Sequence, residues 1–143
     1  MSVLLPLTLK LAIVLGIYAV AGSLGLLLSP PERRTRLFEE MTESPGLVFG
    51  YGVIAFAIGA AWLLVHQEWL TPLGTIVTLA GWIIAIEGVL LLAFPAIMIR
   101  FALATRKVLV PACIVGIILG VVLIILGLTG VANAVPDYVA TPV

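Results

Sequence analysis

Polar positions in this chain are scarce and bunched. Four apolar runs, Pro6 to Leu28, Leu47 to Val65, Leu73 to Phe94 and Val108 to Leu128, are separated by three short polar stretches. None of the runs alternates polar and apolar residues, so none reads as a half-buried strand. Each is close to the ~20 residues that carry a helix across hydrocarbon. In lipid the backbone must bond to itself, so the pattern predicts four transmembrane helices. The first connection has a pattern of its own. Leu37, Phe38 and Met41 fall on one side of a helical projection, and Arg33, Arg36, Glu39 and Glu40 on the other. That spacing predicts an amphipathic helix lying on the bilayer surface. Ser29, Pro30 and Glu32 read as its cap, its first helical residue and its capping-box acid. The predicted fold is an all-α integral membrane protein. Its four transmembrane helices form two tandem helical hairpins, with a short interfacial cytoplasmic helix, in a single membrane domain 1–143.

Composition agrees. Of 143 residues, 63% are hydrophobic and 10% charged, and the mean hydropathy is +1.32. A soluble domain of this size cannot hide so much apolar surface. The net charge is zero, which points away from nucleic acid. One cysteine, Cys113, excludes an internal disulfide or a cysteine metal cluster, and one histidine, His66, leaves little for nucleophilic catalysis. No cofactor is predicted, and the chain is not expected to be an enzyme.

Charge sets the orientation. Arg33, Arg34 and Arg36 lie in the first connection, and Arg100, Arg106 and Lys107 in the third. The middle connection "HQEWLTP" and the tail "VANAVPDYVATPV" carry no Lys or Arg, and only Lys10 opposes the trend. The positive-inside rule then places both basic connections in the cytoplasm and both termini outside. Trp69 falls in the outer connection, where an aromatic belt is expected. "YAVAG" offers a small-x-small cleavage pattern, but no basic n-region precedes it and hydrophobicity continues through Leu28. A signal peptide is therefore not expected.

The chain also repeats itself, over approximately residues 6–66 and 73–130. Shifted by 66 residues, Gly22 falls on Gly88, Arg34 on Arg100 and Gly50 on Gly116, and Pro30 meets Pro95 with a one-residue slip. Each half reads as a helix, a Pro-started cytoplasmic segment and a second helix, with a pseudo-two-fold axis along the membrane normal. "GLLLSPPERRTRLFEEMTESPG" followed by a glycine-bearing helix resembles the YjeT-like small bacterial inner-membrane proteins of two spans. Met41, Thr42 and Pro45 match the turn of that family in the first half, and Glu87 and Gly88 match its Glu-Gly pair in the second. Ala21 stands where the first half should carry the Glu, and the second half lacks the Met-Thr-x-x-Pro turn. The resemblance implies a tandem duplication of such a hairpin and brings no established activity.

Small residues mark predicted helix contacts. Gly46 and Gly50 form a GxxxG pair continued by Ala57 and Ala61, and Ala112, Gly116, Gly120 and Gly127 form a second stripe. The matched positions of Gly50 and Gly116 predict that the second and fourth spans meet near the pseudo-axis, unless a stripe faces another protein copy. Glu87 is the acid inside a span, eight residues before Pro95 and thus about 12 Å from that helix end. A charge there costs about 3 kcal/mol on insertion scales, so Glu87 should face the bundle interior. Tyr18 and Ser23 lie at comparable depth as hydrogen-bond partners, and Arg34 or Arg100 could snorkel towards it. Two readings stand: a neutral acid hydrogen-bonded between helices, or a proton or cation relay. His66 and Glu68 read as an interfacial pair without a metal, because two ligands on a turn make a poor site. Cys113 reads as a small buried residue. Arg33, Arg34, Arg36 and Arg100 are candidate contacts for anionic lipid or a partner. The predicted role is a structural or accessory subunit in contact with the bilayer, other membrane subunits or itself. The alternative is a small transporter or channel using Glu87.

Overall fold

A computed structural model describes residues 4–130 of the chain. Six α-helices follow one another: α1 Leu4–Leu28, α2 Pro31–Glu43, α3 Pro45–Val65, α4 Pro72–Ala93, α5 Pro95–Thr105 and, after a 3-10 turn Arg106–Val108, α6 Leu109–Thr129. Prolines set the boundaries. Pro31, Pro45, Pro72 and Pro95 each open a helix, where the missing N–H has no partner to lose. Thr71 caps α4 by accepting from Gly74 N at 3.1 Å. Gly130 ends α6 with φ 67, the left-handed conformation that suits glycine. Four helices are long and apolar enough to cross a membrane: α1, α3, α4 and α6, the last within the apolar run Pro95–Thr129.

The interfacial start differs by one residue from the sequence expectation. Pro31 is the first helical residue and Pro30 precedes it; Ser29 makes no cap. Its hydroxyl donates back to Gly25 O at 2.6 Å, because α1 continues through Leu28 and offers that carbonyl nearby. Arg34 closes the same helix end, donating through Nε to Ser29 O at 2.9 Å and through Nη2 to Leu27 O at 2.8 Å. A cation on the last carbonyls of α1 also meets the negative end of its dipole.

The spans do not pack as two hairpins of sequence neighbours. α1 lies along α6 and α3 lies along α4, and these are the two extensive contacts. Both pairs are antiparallel. Gly16 meets Gly120 while Ile13 and Leu9 meet Gly127; Gly59 meets Ala85 while Trp62 meets Gly81. A Cβ on Gly16 would stand 2.5 Å from Gly120 O, and a Cβ on Gly88 would strike the backbone of Phe56. Such approaches give dispersion contacts that lipid tails would not match. The element order long helix, short Pro-started helix, 21-residue helix occurs twice. The first long helix of each half packs on the second long helix of the other.

Two glycine expectations are corrected by this pairing. α3 and α6 are not a packed pair; the seam between the two pairs runs along α1 and α4. Gly46 and Gly50 meet nothing within 4 Å, because α3 turns Val48, Gly52, Ala55 and Gly59 towards α4 instead. Gly116 and Gly120 do meet α1, through Ser23 and through Gly16 and Val20. The buried residues of the α1–α4 seam are Thr8, Ala12, Leu73, Val77 and Thr78. All lie at the end of the bundle that carries His66. Towards the opposite end, which carries the arginines and α2 and α5, Ile17 and Tyr18 of α1 are more than half exposed.

Candidate functional site

Two carboxylates inside or beside the spans define two polar sites, one towards each end of the bundle. At the arginine end, Glu87 of α4 is half-buried on an open crevice of 460 Å³ between α4 and α5. Leu90 and Leu91 line it from α4, Met98 and Phe101 from α5, and Tyr51 and Met41 from α3 and α2. The crevice is apolar but for Glu87, the Tyr51 hydroxyl and Thr105. Ile83, Ile86 and Phe101 at its rim are at least half exposed, so it opens towards the lipid side of the bundle.

The neighbours of Glu87 are not the ones its depth in the sequence indicated. Tyr18 lies beside Tyr51, and Tyr51 in turn lies within electrostatic range of Glu87. Ser23 points its hydroxyl at Gly116, because the α1–α6 pairing turns it away from α4. Arg34 is held by the end of α1, and Arg100 is exposed on α5 away from the crevice lining. Arg33 and Arg36 are exposed on α2. Among the described residues no hydrogen bond or ion pair holds Glu87. It faces an open crevice and not an enclosed interface between helices.

At the other end, the loop between α3 and α4 folds under α1 and buries its polar groups. His66 is 1% exposed and stands at the C-terminal cap of α3, with Thr8, Thr71 and Thr78 equally enclosed. Thr8 Oγ1 donates to Glu68 Oε2 at 2.6 Å and lies 2.8 Å from His66 Nε2. Thr71 Oγ1 donates to Glu68 Oε1 at 2.8 Å. Glu68 N donates to Thr78 Oγ1 at 3.0 Å, and that oxygen lies 3.2 Å from His66 Nδ1. Thr8 spends its proton on Glu68, so its lone pair faces His66 Nε2. The Thr78 hydroxyl lies between two acceptors, the Glu68 carbonyl oxygen at 3.1 Å and His66 Nδ1. Burial holds the imidazole below its ordinary 6.5, against an opposing pull from Glu68, whose Oε2 lies 3.9 Å from Nε2. The network joins α1 to α4 through the loop, and its donors and acceptors are matched.

Sequence reasoning singled out His66 and Glu68 but missed Thr8, Thr71 and Thr78. The available signal was depth: Thr8 and Thr78 stand near the starts of two parallel spans, α1 and α4, at similar levels. No group of three or more metal-ligating side chains occurs among the described residues. No family model, no curated protein and no solved structure matches the chain.

Proposed function

We propose that this chain is a small non-catalytic membrane protein, a structural or accessory subunit that docks another membrane helix along the outer face of α3. The observation that carries this reading is the open small-residue stripe. Gly46, Gly50, Ala57 and Ala61 are exposed or half-exposed, and nothing lies within 4 Å of either glycine. The glycines that face α1, α4 and α6 within the bundle are by contrast occupied. A stripe of this kind admits a second backbone closely, which lipid chains do not reward. The occupant is a helix of a larger complex or of a second copy.

The basic connections support an orientation with the α2 and α5 end in the cytoplasm and both termini outside, and the YjeT-like resemblance supports a bacterial inner membrane. The repeated order of elements supports descent from a YjeT-like hairpin by duplication.

A transporter or channel is the second reading, favoured by the Glu87 crevice. It needs an intramembrane acid, and among the described residues no hydrogen bond or ion pair holds Glu87. Oligomer mass in native detergent separates the two, using wild type and the Gly46→Leu/Ala57→Leu variant. A complex that is present in wild type and lost in the variant, with unchanged melting of the isolated chain, supports docking. A wild-type monomer with no partner in native membranes overturns it.

A further inference from the structure

We infer that the crevice at Glu87 is a binding site for an amphiphilic organic cation entering from the membrane. The first ground is charge. A carboxylate within a span is costly unless something compensates it, and no described residue bonds to Glu87. The second ground is the lining: apart from Glu87, Tyr51 and Thr105, the walls are Leu, Ile, Met, Phe and Ala. An inorganic cation needs several oxygen ligands, and this crevice offers one carboxylate. An anionic or neutral lipid leaves Glu87 uncompensated. A cation carrying its own apolar groups meets both requirements. Its charge pairs with Glu87 and the aromatic faces of Tyr51 and Phe101, where a desolvated cation is attracted to the ring, and its apolar groups take the remaining walls.

Size and access fit. At 460 Å³ the crevice lies within the roughly 300–1,000 Å³ of sites that hold small organic ligands. Its exposed rim of Ile83, Ile86 and Phe101 leaves it open to a ligand partitioned in lipid. Met41 and Met98, half-buried in the lining, suit a ligand of variable outline, since the thioether side chain adapts. Tyr51 is the other titratable group in the lining, and Arg100 of α5 lies outside it.

This inference is independent of the docking face on α3. It shares with the transporter reading only the need for Glu87 to ionise. The test uses the purified full chain in detergent and two probes of equal size and shape, tetraphenylphosphonium and tetraphenylborate. Wild type is expected to bind the phosphonium at one site, at least tenfold more tightly than the borate. Glu87→Gln should weaken the phosphonium at least tenfold and leave its melting curve unchanged, while Glu87→Asp should retain part of the affinity. Equal binding of the two probes, or equal phosphonium binding by wild type and a folded Glu87→Gln, overturns the site. If Glu87→Gln proves misfolded, Tyr51→Leu and Phe101→Ala supply the same comparison: phosphonium affinity unchanged in both overturns the site. Binding without flux in proteoliposomes removes the transporter and leaves the site standing.

Discussion

Glu68 and Glu87 are the same side chain in opposite circumstances. Glu68 accepts from Thr8 and Thr71 on its two carboxylate oxygens and donates its own N–H to Thr78. Glu87 stands on an open crevice without a hydrogen bond from any described residue. The α1–α4 seam is buried where Glu68 sits, whereas Glu87 sits on an open crevice lined by α2, α3, α4 and α5. A carboxylate that its own chain satisfies is part of the structure, whereas one left unsatisfied at a lipid-facing crevice is available to something outside the chain.

The largest effect should come from removing the satisfied acid. Glu68→Leu removes the carboxylate that accepts from Thr8 and Thr71 and breaks the buried network. Removing one partner of a buried hydrogen bond costs about 1–3 kcal/mol, so melting in detergent should fall by several degrees. A melting point unchanged from wild type would break the comparison at its stronger side.

The next effect is a pH dependence at the same end. The folded pKa of His66 lies below its ordinary 6.5 because burial disfavours the imidazolium. The unfolded chain therefore binds more protons as pH falls below 6.5, and stability is lost on that side. Full stability is expected above that pH and a decline beneath it, of about 1.4 kcal/mol for each unit by which the folded value is lowered. His66→Gln should abolish the slope attributable to this residue. Melting curves from pH 8 to pH 5, run for both proteins, check the sign; a slope that rises towards acid would contradict the buried neutral imidazole.

The smallest effect should follow from the unsatisfied acid. Glu87→Leu breaks no internal bond and places an apolar side chain against apolar walls. Its effect on stability should stay within about 0.5 kcal/mol, as for substitutions away from packed features. A loss as large as that of Glu68→Leu would show that Glu87 is held within the bundle, and the two acids would no longer differ in kind.

How much of this could be read from the sequence depends on the range of the interaction. The four apolar helices and the surface position of α2 follow from run length and from the spacing of Leu37, Phe38 and Met41. Those are local properties, and the structure has helices at each place. Helix starts were legible at the prolines, to within the one residue by which Ser29 and Pro30 differ. The Gly120 contact was legible as part of a small-residue stripe, but Gly46 and Gly50 carry the same signal and face away from the bundle. A stripe states that a close contact is possible and does not say which helix makes it. The partners of Glu87 failed for the same reason: depth put Tyr18 and Ser23 at the right level, and rotation about α1 sent one to Tyr51 and the other to Gly116.

The sequence by itself determined that this chain forms helices long and apolar enough to cross a membrane, because hydrocarbon admits no other open-chain backbone and about 20 apolar residues suffice. It also determined where the charges fall along the chain, with Glu87 inside a span and Glu68 at an edge. Only the tertiary structure decided which of those acids is satisfied. Pairing α1 with α6, and meeting α4 along one end of α1, brings Thr8 over the loop that holds His66 and Glu68. The same arrangement leaves Glu87 in a crevice beside Tyr51. Hydrogen bonds reach about 3 Å, so a partner some 60 positions away in the chain is chosen by helix rotation and register, which residue type and spacing do not encode.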